Sequence, residues 1–219
     1  MNILPKWAEV ILIPLISLTL SFLISALVIV AIGEDPIAAL LLMIDGAIGS
    51  TYGWGYTLYY ATNFIFTGLA VSVAFHARMF NIGGEGQALL GGLGVATVCL
   101  AFNWPHWSLA LIGASAGAII FGAFWAFIPA YLQAKKGSHI VITTIMFNFI
   151  AASLLNYLLV NVFRPEGSMD PATRKFSEGT HLPTLHDLLS NIGIPFSKAA
   201  PANIFFFIAI FACFFVWIL

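Results

Sequence analysis

Apolar residues run along almost the whole chain, divided into segments of membrane length by short polar or glycine- and proline-containing breaks. Taking about 20 apolar residues as the length that crosses a bilayer, the pattern predicts spans over 8–32, 61–75, 86–102, 108–132 and 139–163. A sixth apolar segment begins at 201. The fold class is therefore all-α integral membrane, with about six transmembrane helices in a single domain over 1–219. Between the first two spans, 37–44 is apolar but too short to cross. Residues 45–60 are rich in Gly, Tyr and Trp, and aromatic side chains favour the headgroup level, so this part is expected to be interfacial. Residues 164–200 are polar and carry Pro165, Pro171, Pro183 and Pro195, which predicts an extramembrane loop with one short helix near 185–191. The final segment is still apolar at Leu219, whereas a span normally closes on polar residues, so the chain is expected to be truncated there.

Composition agrees with the pattern. The chain is 61% hydrophobic and 8% charged, against about a quarter charged in soluble domains. A net charge of −1 and the lack of any lysine and arginine run set nucleic-acid binding aside. Cys99 and Cys213 lie far apart in apolar segments and read as small hydrophobes. Short-loop lysines and arginines favour the cytoplasm, so Lys6, Arg78 and the Lys135-Lys136 pair place those turns inside and 164–200 outside.

Against this background one stretch stands out. Residues 80–95 carry Asn81, Glu85 and Gln87 among Gly83, Gly84, Gly86 and three further glycines. A carboxylate at the centre of a bilayer costs about 2.5–3.5 kcal/mol on insertion scales, so Glu85 should face protein or water. Glycines allow close backbone approach and a broken or re-entrant helix, and such breaks are found where they line a cavity. The stretch therefore reads as lining a solute path; the alternative is that its glycines only pack helices and Glu85 is a solvated end residue. Asn148, with Thr144 and Asn156, forms a slanting polar stripe suited either to a path or to interhelical hydrogen bonds. Gly113 and Gly117 make a small-xxx-small pattern for tight helix contact. No H-E-x-x-H occurs, the five histidines are scattered, and Gly84-Glu85-Gly86 is followed by Leu89 where a dinucleotide fingerprint needs glycine. No catalytic set, metal site or cofactor is assigned. If ATP drives the protein, another subunit binds it.

The segment Phe80-Asn81-Ile82-Gly83-Gly84-Glu85-Gly86-Gln87 resembles the signature of the membrane-spanning permease subunits of bacterial ATP-binding-cassette importers for nucleosides and simple sugars. Gly68-Leu69-Ala70-Val71 and Phe75-His76-Ala77-Arg78 support the match. So does the run from Lys135 to Asn148, in which His139 stands where the family often has an acid, so no role is assigned to it. The resemblance covers the N-terminal two-thirds or so of such a permease. It implies a multi-pass protein of the cell membrane that is not itself an enzyme. The implied partners are a second permease subunit, cytoplasmic ATPase subunits and an extracytoplasmic solute-binding protein. By analogy, Asn81, Glu85, Gln87 and Asn148 are the candidates for lining or gating the path. A proton-coupled secondary transporter using Glu85 is the competing expectation, and a membrane enzyme or structural subunit the weakest.

Overall fold

The computed structural model describes residues 5, 7–77 and 80–218, so Lys6 and Arg78, on which the orientation partly rests, lie outside the described residues. Among the described residues the chain is a succession of helices. α1 (Ile13–Ile32) is preceded by a π-helical turn (Ala8–Leu12), and α2 (Pro36–Ile48), α3 (Thr51–His76), α4 (Gly84–Ala101) and α5 (Trp107–Lys136) follow. α6 (Ile140–Leu158) is prolonged by a second π-helical turn (Leu159–Phe163). α7 (Leu185–Ser190) lies in the long loop and α8 (Phe205–Ile218) comes last. Five of these units, ending in α1, α3, α4, α5 and α6, are long and apolar enough to cross a membrane; α2 and α8 are shorter apolar helices. The protein is an all-α, multi-pass membrane protein.

Local chemistry sets the boundaries. α1 stops at Gly33, whose φ of 91° is left-handed and cheap only for glycine. Asp35 then caps α2 by accepting from the Ile37 N–H at 2.9 Å, with Pro36 in the first turn where its missing N–H costs nothing. α5 ends at Gly137, φ 68°, with Lys135 and Lys136 in its last turn, where cations complement the helix dipole.

Residues 51–60 depart from the expectation of an interfacial segment: they are helical and continuous with the predicted second span, giving α3 its 26 residues. Ser50 caps this helix by accepting from the Gly53 N–H at 3.0 Å. Tyr52, Tyr56 and Tyr60 recur every four residues, so their rings line one face, tilted against each other with centroids 4.8 and 6.5 Å apart. Gly53 and Gly55 are buried where α3 meets the backbone of Gly46 and Ala47 and the side chain of Ala200, respectively. Of the residues that suggested an interface, Gly53 and Gly55 thus pack one long helix, while Tyr52, Trp54 and Tyr60 stay exposed along it.

The core lies between α4, α5 and α6, where Leu90, Leu93, Trp125 and Ala151 are buried together. α4 and α5 make the closest helix pair. Gly94 and Gly117 face each other backbone to backbone, and a Cβ on Gly117 would stand 2.7 Å from the Gly94 carbonyl oxygen. The expected small-residue contact is therefore present, with Gly113 filling the other half of its role against the Trp104 ring. The α1 helix has no buried residue and lies at the periphery.

The long loop folds back onto the bundle. Arg174 Nη2 donates to the Leu100 carbonyl at 2.7 Å, near the end of α4, and Gly179 packs on the Trp104 carbonyl with no room for a side chain. His186 Nδ1 donates to the Phe196 carbonyl at 2.7 Å, since a carbonyl only accepts. Thr184 and Asn203 form an antiparallel bridge, flanked by the Leu185 N–H donating to Ala202 O at 2.8 Å. These ties bring the start of α8 against α3 at Phe66, whose ring lies 6.2 Å from that of Phe205. α3 is roughly 39 Å long, and Phe66 is near its middle.

Candidate functional site

The site forms where the chain leaves helical geometry after His76 and re-enters it at Gly84. A helix that begins in this way leaves its first N–H groups without intrahelical acceptors. Here side chains from the signature supply them. Asn81 Oδ1 accepts from the Gly83 N–H at 2.9 Å, a local turn typical of asparagine. The same side chain pairs with Gln87 amide to amide: Asn81 Nδ2 donates to Gln87 Oε1 at 3.2 Å, and Gln87 Nε2 donates to Asn81 Oδ1 at 3.3 Å. Asn148 reaches across from α6, accepting on Oδ1 from the Gly86 N–H at 2.9 Å and donating from Nδ2 to the Ile82 carbonyl at 3.0 Å. One asparagine thus clamps both the segment before α4 and its first turn.

Three of the four polar candidates are therefore brought together, and their amides are engaged with backbone or with each other. Glu85 is on the same turn but exposed on the isolated chain, and among the described residues no hydrogen bond or ion pair reaches its carboxylate. α4 is roughly 27 Å long, about one hydrocarbon thickness. Glu85 at its start therefore lies towards one face of the bilayer, and its charge there also favours the helix N-terminus by about 0.3–1 kcal/mol.

The glycines have distinct duties. A Cβ on Gly86 would lie 2.9 Å from Trp125 Nε1, 3.0 Å from Asn148 Oδ1 and 3.2 Å from Ala151 Cβ. A Cβ on Gly83 would crowd Asn81 Oδ1, Gln87 Nε2 and Thr144 Cβ at 3.1–3.3 Å, whereas one on Gly84 would meet nothing within 4 Å. Gly83 and Gly86 are pressed against the bundle and Gly84 is not. The glycine-rich stretch is helical from Gly84 onward, so the break lies at its very start, before Gly84.

Sequence reasoning missed Trp125 and left open what Thr144, named in the polar stripe, does. Trp125 is 7% exposed and packs on Phe147 beside Gly86; its indole N–H has no acceptor among the described residues. A tryptophan in the middle of a predicted span, away from any interface, was the available signal. Thr144 is buried and returns its hydroxyl to its own helix, donating to Ile140 O at 2.8 Å, so it packs against Gly83 without offering a free polar group. Its burial depends on which face α6 turns inward, and the sequence stripe left that open.

A membrane bundle in which the Asn81–Gln87 signature is clamped by an asparagine on the helix after next defines a class. Residues 53–219 match the family described as branched-chain amino acid transport system / permease component, and the chain belongs to it. It is similar to the guanosine ABC transporter permease protein of Bacillus subtilis (strain 168), 40% identical over 154 residues, which cover 69% of this chain and 43% of that protein. It is also similar to the glucose ABC transporter permease protein of Haloferax volcanii, 34% identical over 80% of this chain and 46% of that protein. A nucleoside ABC transporter permease protein of Lactococcus lactis subsp. cremoris is 35% identical over 74% of this chain and 45% of that protein. The chain spans less than half the length of each of these relatives. No solved structure matches it.

Proposed function

We propose that this chain is the membrane-spanning permease part of an ATP-binding-cassette importer that moves nucleosides or simple sugars inward. Its partners are a second permease subunit, cytoplasmic ATPase subunits and an extracytoplasmic solute-binding protein, within the lipid of the cell membrane. It holds no cofactor of its own, and ATP is hydrolysed in a separate subunit. In this reading the start of α4 faces the cytoplasm and 164–200 the outside, as the inward preference of short-loop lysines such as Lys135 and Lys136 favours.

The observation that carries this reading is the division of labour around Gly83 and Gly86. Asn81, Gln87 and Asn148 hold an irregular segment with satisfied hydrogen bonds, and Glu85 is the one polar candidate without such a commitment among the described residues. Irregular backbone within a membrane protein is tolerated where it is buried in protein or borders water. In this reading the three amides form the braced wall of the route, and Glu85 is the group at its inner end that meets solute or partner subunit. The names of the relatives, which include guanosine, glucose and nucleoside permeases, support the solute class.

The test is tracer uptake by the whole importer carrying Glu85→Ala, compared with Glu34→Ala and Glu178→Ala. Uptake is expected to fall by about tenfold or more for the first, as for loss of a charged contact worth ~1.5–3 kcal/mol, and to hold for the others. Equal behaviour of all three would remove Glu85 from the route. Uptake that survives ATP depletion but collapses with the proton gradient would replace this reading by proton coupling.

A further inference from the structure

A second polar constellation lies away from the signature, at mid-height of α3. Tyr59, Thr62, Asn63 and Phe66 recur at the i, i+3, i+4, i+7 spacing of one helix face, and with Asn203 and Phe205 at the start of α8 they line a cavity of about 270 Å³. Asn203 is held beside this face of α3 at the start of α8, where it bridges to Thr184.

The hydrogen bonds assign the halves of the two amides. Asn63 Nδ2 donates to the Tyr59 carbonyl at 3.2 Å, which leaves Oδ1 as an acceptor. Asn203 Oδ1 accepts from the Phe205 N–H at 3.0 Å and caps α8, which leaves Nδ2 as a donor. Thr62 is satisfied within its own helix, its hydroxyl donating to Leu58 O at 2.7 Å. The rings of Phe66 and Phe205 meet edge to face, 73° apart. The cavity therefore combines one acceptor, one donor, a phenol and two apolar rings. Its volume is near the lower end of the ~300–1,000 Å³ of small-molecule sites, which suits one planar ring system and not a peptide or oligosaccharide.

We infer that this cavity between α3 and α8 is a transit subsite for the base of a nucleoside, read by Asn63 Oδ1 and Asn203 Nδ2 while Phe66, Phe205 and Tyr59 contact its faces and edges. A base with an adjacent N–H and acceptor satisfies both amides at once; a sugar ring offers hydroxyls to the amides but no π face to the rings. This inference rests on the permease reading and narrows its solute class, and it concerns residues distinct from Asn81, Glu85, Gln87 and Asn148.

The experiment is saturation-transfer NMR on the full-length protein in lipid nanodiscs with inosine, guanosine and ribose, alongside uptake by the whole importer. Base protons of both nucleosides are expected to receive saturation, and ribose is not. Asn203→Asp keeps the oxygen that caps α8 but replaces the donor by an acceptor. Inosine, whose carbonyl would then face a carboxylate, should weaken about tenfold. Guanosine, which can turn its adjacent N1–H and 2-amino donors towards the two acceptors, should stay within about threefold. Asn63→Leu should weaken both by about tenfold. Ribose binding as well as the nucleosides, absence of nucleoside binding to the unmodified protein, or equal response of inosine and guanosine to Asn203→Asp would each overturn the subsite. The two proposals fail separately. Binding with this selectivity but no ATP-dependent uptake would sink only the importer, and inosine uptake indifferent to Asn203→Asp would sink only the subsite.

Discussion

Replacing Asn148 by leucine keeps the approximate volume of the side chain and removes both of its links to the start of α4. The two links are unequal. The Ile82 carbonyl belongs to a residue 37% exposed and can find water, so losing that bond costs about the ~0.6 kcal/mol average of an interhelical hydrogen bond in a membrane bundle. Gly86 is buried, pressed between Trp125, Asn148 and Ala151. Its orphaned N–H carries a desolvation cost of about 1–3 kcal/mol. Together the substitution should favour opening of the first turn of α4 by about 1.6–3.6 kcal/mol, or roughly 15- to 400-fold in the opening equilibrium. Amide hydrogen exchange, followed by mass spectrometry on peptides covering 82–90 in nanodiscs, reads this directly. Asn148→Asp retains the oxygen that faces the Gly86 N–H and should restore most of the protection. If the leucine variant exchanged at the rate of the unmodified protein, the cross-helix clamp would not be what holds this turn.

Other consequences can be checked independently. Gly86→Ala and Gly117→Ala should each destabilise by about 1–3 kcal/mol through overpacking, while Gly84→Ala, with no neighbour within 4 Å, should be neutral or slightly stabilising; thermal unfolding of purified variants separates them. Asp187 accepts from the Thr184 hydroxyl and N–H, which holds its carboxyl below the ordinary carboxylate range. Because that pKa is depressed, the stabilisation of α7 is complete above the ordinary value of about 4 and is lost as pH falls through the folded value. Exchange protection at 184–190 should follow that course, and Thr184→Ala should abolish it. Arg174→Gln removes the guanidinium from the Leu100 carbonyl, and limited proteolysis within 164–182 should accelerate with little change in the bundle's own unfolding.

Much of the bundle was legible because apolar run length translates directly into helix length in lipid. The exception, 51–60, shows where that translation fails. Tyrosine, tryptophan and glycine mark an interface by composition, but at four-residue spacing Tyr52, Tyr56 and Tyr60 line one face of a helix while Gly53 and Gly55 admit close neighbours. The signature was legible as a set of polar residues in the wrong solvent. What each does was not, since Asn148 is 62 positions from Gly86 and no local pattern encodes that meeting. Asn203 was hidden for a related reason: it reads as the start of the sixth apolar segment, and its bridge to Thr184, across nineteen positions, is not encoded in any local pattern.

Where Gly94 meets Gly117, main chain rests on main chain, with no side chain between them that could change rotamer. Sliding α4 by four residues would bring Leu90 or Val98 against the Gly117 carbonyl, so the contact resists that displacement. Asn148 fastens the third helix to the same unit. In the proposed importer, a transport stroke would carry α4, α5 and α6 as a single lever, with its travel taken up at the sparse seam to α3.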